Sequence, residues 1–157
     1  MKLGIFSDLH IDFYRLDQID ILIDNINNTE CDYFVNAGDL AENVIERNDF
    51  LARLKKPVIS VLGNHDFYRS TGGNDMSSIT ADHYKIVTAT LWTNFNNDPQ
   101  CEFLSQRYIN DFRLIKNWSS DQMKAAFNES CLFIEMETPD IVITHFGCHP
   151  YSIDSIS

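Results

Sequence analysis

The sequence predicts an α/β fold, a layered sandwich in which a mostly parallel central sheet is flanked by helices. Two observations carry that reading. Four short apolar runs, "KLGIFSDLH", "CDYFVNAGDL", "PVISVLGNHD" and "DIVITHFGCH", each end in polar or glycine residues. Their apolar parts are near-continuous, as expected for strands covered on both faces in a parallel sheet. Stretches of helical periodicity separate the first three, and strand, helix, strand, helix, strand is the signature of βαβ crossovers.

Taken in order, the first strand leads into "LDQIDILIDNINN", where Leu16, Ile19, Ile23 and Ile26 recur at helical spacing before Asn27-Asn28. The second strand is followed by "NVIERNDFLARLKK", which repeats the pattern and stops at Pro57. After the third strand, "STGGNDMSS" (residues 70–78) has two glycines and no periodicity, so it reads as a surface loop. "DHYKIVTATLWTNF" predicts a further strand pair or one long strand, and "DPQCEFLSQRYI" a short helix opened by Asp98-Pro99. "SSDQMKAAFNESCLFIEME" is the best helix signal. Ser119 or Ser120 can cap it, and Met123, Phe127, Leu132 and Ile134 offer apolar contacts. Pro139 separates it from the fourth strand run. With no repeat, low-complexity tract or linker in sight, residues 1–157 are expected to form one domain.

Composition narrows the function classes. The chain has 157 residues, enough for a core, and 44% of them are hydrophobic. Its 23 acidic and 12 basic side chains give a net charge of −11, which repels phosphate backbones and excludes broad electrostatic binding to duplex nucleic acid. That charge suits cation binding wherever carboxylates converge. Cys31, Cys101, Cys131 and Cys148 form no C-x-x-C pair, and no membrane-length apolar run exists. The expectation is free thiols in a reducing cytoplasm.

The strand ends hold the chemistry. The first run finishes in Asp8-Leu9-His10, the second in Gly38-Asp39, the third in Asn64-His65-Asp66, and the fourth reaches His145. Ligands of open α/β sheets bind outside the carboxyl ends of the strands. If the four strands are parallel, these side chains share one rim. Asp8 and His10 are two apart, so on an ideal strand they point to the same side. Asp, His and Asn together offer oxygen and imidazole donors suited to Mn, Fe, Zn or Co. An aspartate after a strand is often only a helix cap. A G-N-H-D after an apolar strand is much rarer, and the ordered set of all four carries the argument.

This set, "SDLH", "GD", "GNHD" and "VITHF", resembles the calcineurin-like metallophosphoesterase family, and the overall look is similar to the short phosphoesterases of bacteria and their viruses. The resemblance implies that Asp8 and His10 bind one divalent metal, that Asn64 and His145 bind a second, and that Asp39 bridges them. Manganese is the favoured ion. A metal-bridging hydroxide would attack a phosphomonoester or phosphodiester of a small molecule or nucleotide, while His65 protonates the leaving group. Asp66 would orient His65 or cap the next turn. Arg69 and His149 are weaker candidates for touching substrate, with a surface salt bridge the commoner use of such an arginine.

The family pattern continues to a G-H-x-H element that this chain lacks, so the fold is expected to be C-terminally incomplete. The bridged arrangement would leave each metal three protein ligands, a workable set. An exposed sheet flank would then invite an oligomer or a completing chain. Besides the phosphoesterase reading, a degenerate metal- or phosphate-binding relative and an interaction module stay open.

Overall fold

The computed structural model describes residues 1–69 and 75–148. Contacts group the chain into two compact units, Met1–Gly73 and Asn74–Ser157.

In the first unit β1 (Leu3–Phe6), β2 (Tyr33–Asn36) and β3 (Val58–Ser60) form a parallel sheet in the order β1-β2-β3. Its register sets Leu3 opposite Tyr33 and Phe34 opposite Val58. The helices α1 (Leu16–Asn27) and α2 (Val44–Ala52) supply the two crossovers. Each starts where local chemistry dictates. The Gln18 side chain accepts the Arg15 amide at 3.0 Å, and the Asn43 side chain accepts the Ile45 amide at 2.9 Å. Ile11, Ile23, Leu40, Ala41 and Phe50 are buried together, and Phe6, Leu9, Ile19 and Ile26 pack against them. Full burial of such side chains contributes roughly 1.5–3 kcal/mol each, which is what seats both helices on one face of the sheet. Ile5, on β1, is 70% exposed, so the expectation of cover on both faces does not hold at this outer strand.

The second unit is a mixed sheet. β4 (Met76–Ala81) and β5 (Tyr84–Ala89) form an antiparallel hairpin, and β6 (Ile141–Thr144) runs parallel to β5. Two expectations are corrected here. Met76, Ser77 and Ser78 belong to a strand rather than a loop, because they pair with Ala89, Thr88 and Val87. The hairpin closes through Asp82, whose φ of 55° suits the tight turn. The fourth predicted strand does not extend the β1-β2-β3 sheet. It pairs with β5, whose Ile86, Val87 and Ala89 are fully buried and offer it an apolar partner on the side away from β4.

Three helices complete this unit: α3 (Pro99–Tyr108), α4 (Asp111–Leu114) and α5 (Ser120–Glu137). Asp98 caps α3 by accepting the Gln100 amide at 2.8 Å, and Ser119 caps α5 through Gln122 at 3.3 Å. Met123 and Ser130 are the buried residues of α5, whereas Leu132 is 58% exposed. Nine residues at roughly 100° each carry Leu132 to the side opposite Met123, while Ser130 returns to the Met123 face. Trp92, with ring centroids 4.8 Å from Trp118 and 5.6 Å from Phe146, anchors the aromatic part of the core. No described helix is long and apolar enough to cross a membrane.

Candidate metal centre

Past Phe6 the chain leaves β geometry but keeps its ladder. Ala37 donates to the Phe6 carbonyl, Asp8 to Gly38, His10 to Asp39 and Ile11 to Leu40, all between 2.9 and 3.0 Å. Asp8, His10 and Asp39 take left-handed φ values of 54°, 45° and 55°, beside Gly38 at 100°. Such a conformation costs a residue with a side chain roughly 1–2 kcal/mol. Asp8 and His10 therefore do not share a side through strand alternation. Two loops, zipped together by backbone bonds, swing their side chains to a common place. A carboxylate oxygen of Asp8 lies within 4.8 Å of one of Asp39. Single donor atoms of His10, Asp39 and His65 likewise fall within 4.8 Å of one another.

Asp39 is the pivot. Its side chain is 5% exposed, with Oδ2 3.7 Å from His10 Nε2. Oδ1 accepts the His65 amide at 2.9 Å, which couples the Asp39 loop to the "GNHD" loop. Gly63 makes that approach possible, since a Cβ there would stand 2.1 Å from Asp39 Oδ1. Asn64 leads into a 3-10 turn, His65–Phe67, and its Nδ2 donates to the Tyr68 hydroxyl at 3.1 Å. The carbonyl oxygen is the end of this side chain chemically suited to a cation.

His65 stands between aromatic rings, 4.5 Å from His10 and 4.3 Å from Tyr68. Its buried Nδ1 has no hydrogen bond among the described residues, and Glu42 Oε1 is the facing carboxylate at 3.9 Å. Glu42 also holds Arg69, whose Nε lies 2.8 Å from Oε2. Arg69, the candidate for substrate contact, thus stands in an ion pair with Glu42.

Asp66 turns away from His65 and inward. It is 1% exposed; Oδ2 accepts the amides of Gly63 at 2.8 Å and Asp39 at 3.0 Å, and Oδ1 faces Arg47 Nη1 at 3.2 Å. Among the described contacts it ties the two loops to α2, and the carboxylate facing His65 belongs to Glu42. Sequence reasoning missed Glu42, Arg47 and Tyr68. Arg47 left a trace: it shares a helix face with Phe50, where a lone arginine needs a buried acid. Glu42 left none, since an acid before α2 reads as dipole compensation.

His145 follows β6 in the second unit, its ring 4.9 Å from that of Phe146. His149 lies outside the described residues.

The donors that converge in the first unit, imidazole and carboxylate with one deeply buried acid, are chemically fit for divalent cations of the first transition row.

A search of curated proteins returns no significant match. Among solved structures the chain is similar to phosphopantetheinyl hydrolase (PptH) from Mycobacterium tuberculosis. That match has 15% identity and a TM-score of 0.69, covering 99% of this chain and 71% of the other. It is also similar to a single mutant of Vps29 from Entamoeba histolytica, with 21% identity and a TM-score of 0.41, covering 70% of this chain. The chain spans 59% of the length of that Vps29 structure. The protein of unknown function AQ665 from Aquifex aeolicus matches with 15% identity and a TM-score of 0.44, covering 94% of this chain and 81% of the other. At this identity the PptH likeness shows the fold. The family is shown by the calcineurin-like phosphoesterase model, which matches residues 1–155, and the chain belongs to that family.

Proposed function

We propose that this chain, with residues 1–157 acting as one domain, is a metal-dependent phosphoesterase acting on phosphomonoesters or phosphodiesters. The observation that carries the reading is the convergence of His10, Asp39 and His65, with Asp8 beside Asp39, in a member of this family. Bound there, divalent cations, manganese foremost, would neutralise phosphoryl oxygens and acidify water.

The chain's own residues divide the remaining work. Asp8 and His10 would hold one cation, Asn64 would offer its carbonyl oxygen to a second, and Asp39 would serve both. For His145 as a further ligand the support is the family resemblance. His65 donates a proton to the leaving oxygen, with Glu42 Oε1 3.9 Å from its Nδ1. Asp66 acts as a positioning residue, because its carboxylate fixes the Asp39 and Gly63 amides.

Hydrolysis of p-nitrophenyl phosphate and its bis ester, with and without Mn²⁺, tests the proposal. Mn²⁺-dependent turnover abolished by chelator and by Asp39→Asn is expected. Turnover indifferent to both would overturn it.

One observation favours a second reading, a metal-binding module without turnover. A nitrogen of His65 already falls inside the ligand-sized cluster. As a ligand, His65 would no longer be available as the acid. A Mn²⁺-dependent rise in Tm with no hydrolysis of either ester, and loss of that rise in His65→Gln, would select this reading.

A further inference from the structure

A groove of about 370 Å³ opens between α1 and α2, apart from the metal cluster. Its volume falls at the low end of ligand-sized cavities, roughly 300–1,000 Å³. The floor is core material: Ile11 and Phe50, both buried. The rim is apolar but open. Leu16 is 79% and Ile45 74% exposed, and Tyr14 stands beside them. Apolar exposure continues past the groove to Phe13 and Val44. A small molecule filling the cavity would leave that surround uncovered, whereas a chain segment lying along it would cover both.

The charge of the lining identifies the occupant. Asp12, Glu46 and Asp49 face the groove with one cation, Arg53. Arg53 is already committed, its Nη2 lying 2.5 Å from Asp20 Oδ1. Among the described residues no ion pair engages Glu46 or Asp49. Both lie on α2 three residues apart, on one face, flanking apolar contacts. A second copy of this chain would bring another −11 of charge to the same place, which disfavours self-association.

We propose that the α1–α2 groove docks a basic amphipathic helix of another protein. Bulky apolar side chains at one-turn spacing would enter over Ile11 and Phe50, and Lys or Arg side chains flanking them would meet Glu46 and Asp49. This is the helix-in-groove mode, with the acids setting orientation and the apolar floor supplying affinity. It stands independently of the hydrolytic reading.

The test uses the full chain and a fluorescent 14-residue amphipathic peptide built of Leu and Lys, compared with the same peptide carrying Glu for Lys. Fluorescence polarisation should give saturable one-to-one binding of the Lys peptide and none of the Glu peptide. Glu46→Lys/Asp49→Lys should weaken binding at least tenfold, and so should Ile45→Glu, with unchanged melting. Asp24→Lys/Glu30→Lys alters net charge equally, away from the groove, and should change affinity less than twofold. No saturable binding, equal loss in both charge-reversed variants, or indifference to Ile45→Glu would each overturn the proposal. Sedimentation showing that the chain itself dimerises through this face, with the dimer lost in Ile45→Glu, would also overturn it.

Discussion

The loop after β1 and the loops after β2 and β3 contribute to one cluster but are built on different terms. Asp8 is exposed, and its side chain has Ser7 as its hydrogen-bond partner. Asp39 and Asp66 are buried; together their carboxylates accept three backbone amides, and that of Asp66 faces a buried guanidinium. Asp8 thus has little to do with holding the fold, whereas Asp66, 1% exposed, has much to do with it. Asp39 belongs to both classes. The comparison teaches that carboxylates of one motif set can divide into binders and builders, and that hydrogen-bond partners separate them where residue type does not.

The largest effect is expected from Asp66→Ala. It strands the Arg47 guanidinium in a buried place and frees two amides, so urea unfolding should show a loss of about 3–5 kcal/mol. A loss within experimental error would erase the distinction between the two loops. Gly63→Ala should come next. The new methyl must displace Asp39, at a cost of about 1–3 kcal/mol, and titration calorimetry should show weakened Mn²⁺ binding. Asp8→Asn, which keeps a side chain tolerant of left-handed backbone, should leave stability within about 0.5 kcal/mol. It should nonetheless reduce the Mn²⁺-dependent rise in Tm, a result that marks a binder.

The smallest effect sharpens the comparison with a half-buried acid that has no ion pair among the described residues. Asp75, before β4, is half-buried; burial raises its pKa above 3.8, hydrogen bonds from Trp92 and Thr90 oppose this, and Glu129 adds to it. The folded chain therefore holds this proton to higher pH than the unfolded chain does. Its contribution to stability is fully present below the unfolded value and falls as pH rises through the folded one. Asp75→Asn should remove that decline and stabilise the protein slightly at pH 7. Thermal melts from pH 3 to 7 check this, and an unchanged slope would show that Asp75 is solvated like any surface acid.

Much of this was legible in the chain before folding. Periodicity located α1, α2 and α5, the Asp98-Pro99 start located α3, and the capping residues Asp98 and Ser119 stood where the helices begin. Polar strand ends singled out Asp8, His10 and Asp39. Strand partnership was not legible, because "DIVITHF" carries the same apolar run whether it joins β3 or β5. The β4 strand was hidden by the polarity of "MSS", whose place in the sheet comes from pairing with β5 rather than from its own propensity. Nor could spacing reveal the orientation of Asp66. The identity of its partner, nineteen residues earlier on α2, depends on how the helix lies over the sheet.

Because Asp66 belongs to the bonding of the fold, a descendant of this chain without the proposed metal binding would still be obliged to keep it. Asp8 would face no such obligation. In a set of homologues the intact "GNHD" string is therefore a poor witness to living chemistry, and the fate of the aspartate after β1 is a better one.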